Sequence, residues 1–174
     1  MYKVIIGVLI AMFVVIFLFT KMDPNLSSNS SGSGSESEFL TVSVEGEVTR
    51  EGTYLLDVGA DMGDLLEAAG GQTDNADELA FNVSVDLVDN MTYYIAPLYD
   101  EDDVCNSELL VKVGLNKGQK EDFMTIDGIG SSIASAIISY RDENGPYQYL
   151  EEVMDVSGIG NATFIRMRNS ITLQ

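Results

Sequence analysis

The sequence predicts a small α+β domain followed by a small all-α domain, both carried behind a single N-terminal transmembrane helix. Three observations predict this. An uncharged apolar run opens the chain, strand-like alternation fills its middle, and a helical pattern built around Gly-Ile-Gly repeats at a spacing of thirty residues near its end. The 174 residues suffice for two small domains with an anchor and linkers. The net charge of −19 is unevenly spread: residues 39–111 carry seventeen acidic groups and one basic (Arg50), whereas residues 112–174 carry eight acidic and six basic. The low isoelectric point therefore belongs to the middle of the chain, and the C-terminal part has to be judged separately.

Val4 to Phe19 is sixteen residues without a charge, between Lys3 and Lys21. With Tyr2 and Thr20 it spans about 28 Å as a helix, close to the ~30 Å of a bilayer core. A cleaved signal peptide is the rival reading. The run is followed by neither a small-x-small cleavage site nor a cysteine for lipid attachment, so a retained anchor over residues 1–21 is expected, with the body outside the cytoplasm. Residues 22–38, rich in Ser, Gly and Asn, cannot bury a core and read as a flexible stalk.

Residues 39–98 read as the α+β domain. "FLTVSVEGEV" alternates as a half-buried strand does, and "GTYLLDV" is a second strand after the "TREG" turn. "ADMGDLLEAAGG" places Met62, Leu65, Leu66 and Ala69 on one helical face, with Asp61 or Asp64 suited to its start and Gly70-Gly71 to its end. "NMTYYIAP" reads as a closing strand. Residues 99–111 read as an acidic linker. Its run Asp100–Asp103 suggests Ca²⁺, but the spaced ligands, central Gly and terminal Glu of an EF-hand loop are missing, which favours a solvated linker. Such a linker would hold the acidic domain away from the C-terminal one, where salt screens its charge over about 8 Å.

Residues 112–174 read as four short helices: "KEDFMTI", "SSIASAIISYRDEN", "LEEVMDV" and "NATFIRMRNSI". Gly128-Ile129-Gly130 and Gly158-Ile159-Gly160 join the members of each pair. Gly145-Pro146 ends the second helix, because proline cannot continue one. Ile133, Ile137 and Tyr140 form one apolar stripe, and Phe164, Met167 and Ile171 another, so the two helix pairs can cover each other.

The turns carry the candidate chemistry. Glycines let a ligand approach the backbone closely, and the first amides of the following helix lack internal acceptors and lie at the positive end of its dipole. A phosphate oxygen suits that place. Ser131 and Ser132 add hydroxyls at the first turn; Asn161 could cap or donate at the second, next to Ala162. The central isoleucines would anchor each turn inward. The bland reading is that each turn is only a tight connection, which a single G-x-G would favour and a repeated one does not.

Two resemblances rest on these residues. Val44, Gly46, Val48, Gly52, Tyr54, Ala69, Gly70 and Gly71 are similar to the pattern of the soluble-ligand-binding β-grasp (SLBB) family, with Glu51 where that family usually has proline. Residues 112–174 resemble the tandem helix-hairpin-helix motif, which binds DNA through backbone phosphates without reading sequence. The order of anchor, stalk, SLBB domain and tandem helix-hairpin-helix resembles the competence DNA receptor (ComEA-like) family. That resemblance implies a bacterial surface receptor that presents external double-stranded DNA to an uptake channel; self-association through the SLBB domain is a separate expectation. The implied DNA-binding set is Gly128, Ile129, Gly130, Ser131 and Ser132 at the first turn, Gly158, Ile159, Gly160, Asn161 and Ala162 at the second, and the nearby bases Lys117, Lys120, Arg166 and Arg168. The chain departs from the family where lysines usually follow the turns: Ser132, Ile133, Ala162 and Thr163 stand there instead. Arg166 and Arg168, two apart, cannot share one helical face closely.

A sequence without histidine excludes Ser-His-Asp, Cys-His and His-based zinc chemistry, and one cysteine, Cys105, cannot form an internal disulfide. Glu45 and Glu47 share a strand face, but no base or metal-ligand set accompanies them. Neither an enzyme, nor a cofactor, nor a metal site is expected. The alternative to a DNA receptor is an envelope assembly protein, whose SLBB domain contacts a glycan or itself while the helical pair is structural.

Overall fold

In the computed structural model, the described residues are 39–99 and 109–174. The anchor over residues 1–21, the stalk over 22–38, the Asp100–Asp103 run and Cys105 lie outside them. Among the described residues no helix is long and apolar enough to cross a membrane.

Strand β1 (Phe39–Gly46) is central in a three-stranded sheet, antiparallel to β2 (Gly52–Asp57) and parallel to β3 (Thr92–Ile95). Its alternation has the expected consequence: Val42 and Val44 are fully buried, while Thr41, Ser43 and Glu45 lie on the other face. Helix α1 (Met62–Ala68) covers the inner face with Met62, Leu65 and Leu66. Asp61 and Asp64 both serve its start. The Asp61 carboxylate accepts the Asp64 N–H at 3.1 Å, and Asp64 accepts the Asp61 N–H at 3.0 Å. Gly46 ends β1 at φ +90°, where a Cβ would stand 2.2 Å from the Ile95 carbonyl oxygen, so only glycine closes this corner.

The helical half contains β4 (Val113–Gly114), α2 (Lys120–Phe123), α3 (Ser131–Asn144), a 3₁₀ helix over Leu150–Asp155, α4 (Asn161–Met167), a short 3₁₀ turn over Arg168–Ser170 and β5 (Ile171–Thr172). Two helical expectations are corrected here. "LEEVMDV" is 3₁₀ because its buried residues Leu150, Val153 and Val156 recur every third position, the period at which 3₁₀ side chains eclipse. "NATFIRMRNSI" stops being α-helical at Met167. Ile171 is buried as expected, but as a strand residue paired parallel with Val113, which ties the end of the helical half to its beginning.

The two halves form one compact unit, Ser37–Gln174, which corrects the expectation of a linker holding them apart. Ala80 and Ala96 belong to the same buried cluster as Leu115, Ile137 and Phe164, and Tyr149 packs edge-on against Tyr93 with centroids 5.5 Å apart. Lys112 reaches into the α+β half, where its ammonium meets the Asp77 carboxylate at 2.6 Å, both side chains at least 93% covered (7% and 5% exposed). Burial pulls the Lys112 ammonium below its ordinary range, and the Asp77 partner draws it back. Asp77 also accepts the Leu79 N–H at 3.0 Å.

A buried charge left without its partner is costly, whereas a neutral pair of similar shape is not. Lys112→Met is therefore expected to lower unfolding stability by about 3–5 kcal/mol. Asp77→Asn added to it keeps the acceptor for Leu79 and should restore most of that loss. Urea unfolding of the three proteins checks this.

Candidate nucleic-acid interface

Both Gly-Ile-Gly turns are built alike. The first glycine of each takes positive φ (Gly128 +83°, Gly158 +99°), and the following isoleucine folds inward, 4% exposed in both copies. The isoleucine amides close the turns, Ile129 N–H to the Ile126 carbonyl at 3.1 Å and Ile159 N–H to Val156 at 3.0 Å. Ile129 and Ile159 are thus anchors, with neither side chain nor amide left to meet a ligand. The second glycines, Gly130 and Gly160, are N-caps with extended backbone (φ −88° and −104°). Among the described residues, nothing beyond the adjoining backbone lies within 4 Å of a Cβ built on either one. Neither conformation nor internal packing demands glycine there.

Beyond these caps the helix starts are bare. Among the described residues the amides of Gly130, Ser131 and Ser132, and of Gly160, Asn161 and Ala162, have no hydrogen-bond acceptor. The other two α-helices begin differently: α1 has the Asp61–Asp64 box, and α2 has Glu121 and Asp122 in its first turn. Helices α3 and α4 have no acidic residue in the first turn and no capping side chain. The positive ends of these two helices are therefore the ones left unneutralised. At fourteen residues α3 presents the stronger dipole; α4 has seven.

The turns interlock. A Cβ on Gly128 would lie 3.4 Å from the Arg166 guanidinium of α4, and one on Gly158 would lie 3.3 Å from Ile133 of α3. Each turn packs against the helix of the other pair, which sets Ser131, Ser132, Asn161 and Ala162, all exposed, around one region of the surface.

Of the four bases expected beside the turns, the structure brings only Arg166 to one, beside Gly128 and exposed. Lys117 and Lys120 sit at the far end of the first hairpin. The loop that carries Lys117 is held by Arg141, whose Nη1 donates to the Leu115 and Gly118 carbonyls at 3.0 and 3.2 Å. Arg141 is ten residues along α3 from Ser131, which is about 15 Å of helix. Arg168 turns toward the α+β half, its guanidinium 3.8 Å above the Tyr94 ring and 3.6 Å from the Glu45 carboxylate. Sequence spacing showed that the two arginines diverge, but not which of them keeps the turn.

Sequence reasoning missed Glu151. It is 4% exposed, and its carboxylate accepts the Tyr94 N–H at 2.6 Å across the junction of the two halves. Glu151 and Met154, three apart, form the second face of the 3₁₀ helix; its first face fills the core. Burial pushes the Glu151 carboxyl up to about 7, against the pull of the Tyr94 N–H and of Arg168. The folded state thus favours the protonated acid. The stability it confers is complete below about pH 4.5, is lost as the pH rises to about 7, and is constant above. At 1.36 kcal/mol per pH unit this amounts to about 3 kcal/mol. Urea titrations from pH 4.5 to 8 should show Glu151→Gln, which still accepts the Tyr94 N–H, losing about that much less than the wild type.

Comparison with known proteins adds independent findings. The SLBB domain family matches residues 41–96, and the helix-hairpin-helix motif family matches residues 110–172. ComE operon protein 1 of Bacillus subtilis is 29% identical over 164 residues, covering 89% of this chain and 80% of that protein. An uncharacterised protein of Haemophilus influenzae is 33% identical over 61 residues, covering 34% of this chain and 54% of its own length. A mouse protein named endonuclease/exonuclease/phosphatase family domain-containing protein 1 is 29% identical over 63 residues, 36% of this chain but 11% of that protein.

Proposed function

This chain belongs to the competence DNA receptor (ComEA-like) family, and we propose that it binds double-stranded DNA without sequence preference, through phosphates seated on its two Gly-Ile-Gly turns. One observation carries this reading: the two helices that follow the turns are the ones whose starts are left bare, each behind a glycine that nothing inside the protein requires. A phosphate oxygen is the ligand that such amides and such a gap accommodate. The clamp is a binder, not an enzyme.

The first turn is the stronger half. It has the longer helix, the hydroxyls of Ser131 and Ser132, and Arg166 alongside. With one basic side chain beside the turns, few counterions are displaced, so binding is weak and only mildly salt-dependent. Each neutralised phosphate contributes about 0.9 to the log–log salt slope. The apolar run Val4–Phe19 supports attachment to the cell membrane with the body extracytoplasmic, and membership of the family supports delivery of the captured duplex to an uptake channel.

Two measurements test this on the full chain in a non-ionic detergent. Titration of a long duplex at several salt concentrations should give a slope of about −1 to −2, one or two phosphates' worth; no binding at low salt would sink the reading. Gly130→Ala and Gly160→Ala should leave stability within about 1 kcal/mol of wild type. Gly130→Ala should still weaken DNA binding about tenfold or more, the equivalent of one charge-assisted hydrogen bond.

A further inference from the structure

Glu45 and Tyr94 are in-register neighbours on the outer face of the sheet, one on β1 and the other on β3. Both hold the same group of the helical half. The Arg168 guanidinium lies over the Tyr94 ring, 3.8 Å from its centroid, and 3.6 Å from the Glu45 carboxylate, and it faces the buried Glu151. The adjacent Asn169 accepts the Tyr94 hydroxyl at 2.6 Å. Arg168 and Glu45 line one narrow cleft of about 290 Å³ with Asn161, the first residue after the second Gly-Ile-Gly turn. Arg168 thus lines the cleft that reaches the second turn, about 10 Å along α4 from Asn161, but it is already engaged.

We propose that the SLBB domain competes internally with DNA at the second hairpin: the Glu45–Tyr94 clasp withholds Arg168 from phosphate, so that a bound duplex rests on the first hairpin. This rests on the DNA-binding reading above. A carboxylate and a phosphate oxygen seek the same guanidinium donors, so Arg168 cannot serve both fully. The clasp is displaceable, because the Glu45 side chain is 56% exposed and that of Arg168 27% exposed, and water and salt weaken such a pair. Among the described residues the first hairpin has no such neighbour: Met124, thirty residues before Met154 and its counterpart in the repeat, is 48% exposed, whereas Met154 lines the cleft. The open first hairpin is therefore the one that a duplex engages.

The test uses the full chain in non-ionic detergent and a long duplex, with Kd measured from 50 to 200 mM salt. Glu45→Gln frees Arg168 and should steepen the salt slope by about 0.9. A fourfold change of salt then shifts the ratio of the two Kd values about 3.5-fold, so the variant should bind tighter than the wild type at 50 mM, by a factor about 3.5 times larger than at 200 mM. Arg168→Gln should leave the wild-type affinity within about twofold and abolish the gain of Glu45→Gln, since the gain runs through Arg168. Asp57→Asn removes one charge from the same sheet face away from the clasp, and Tm values check that every variant is folded. The clasp is overturned if Glu45→Gln gains nothing, gains no more than Asp57→Asn, or keeps its gain in the Arg168→Gln background. A wild type that binds beside an unchanged Glu45→Gln sinks the clasp alone, whereas a wild type and variants that never bind sink the DNA reading with it.

Discussion

The buried Lys112–Asp77 pair fixes where the helical half begins, and the placement of the remaining helical elements depends on that point. Lys112 precedes β4, and β4 is the strand on which β5 closes the helical half. An ammonium and a carboxylate at 2.6 Å in a covered site do not add much net stability, because desolvating both offsets their attraction. They confer position instead, since any docking that separates them strands two charges away from water. With that pair in place, the second face of the 3₁₀ helix lies against β3, where Glu151 meets the Tyr94 amide and Tyr149 meets Tyr93.

Docking in this way determines which charges are available. Of six basic residues after Val111, Lys112 is buried in its ion pair, Arg141 holds loop carbonyls, and Arg168 lies on Tyr94. The acidic α+β half is part of the same unit, so its field acts on the turns at fixed range and the attenuation by a long spacer is absent. On the reading proposed above, what would attract a phosphate is then mostly backbone: bare helix-start amides, dipoles without carboxylate caps, and two open glycines.

Several elements were legible in the sequence for plain physical reasons. Alternation over residues 39–46 requires a strand with one buried face, and Asp61 with Asp64 before an apolar periodic run requires a capped helix start. The Gly-Ile-Gly copies announced two equivalent turns, each with an inward isoleucine. The short helical stretches were harder. "LEEVMDV" satisfies an α-helical and a 3₁₀ reading equally well until the burial of Leu150, Glu151 and Val153 is known. Ile171 fits a helical stripe by spacing, and pairing with Val113, nearly sixty residues away, is invisible to any local window.

The sequence by itself determined the local chemistry: which glycines open a turn, which residues cap a helix, which faces are apolar, and which lysines are missing after the turns. Backbone conformation and side-chain spacing follow from near neighbours, so a short window suffices for them. Only the tertiary structure decided the fate of each charge. Arg166 and Arg168 are chemically identical and two residues apart, yet one stands beside the first turn and the other lies over a tyrosine of a different domain. That difference arises from contacts between residues 45, 94 and 168, and no local pattern encodes an interaction whose partners are brought together only when two domains dock.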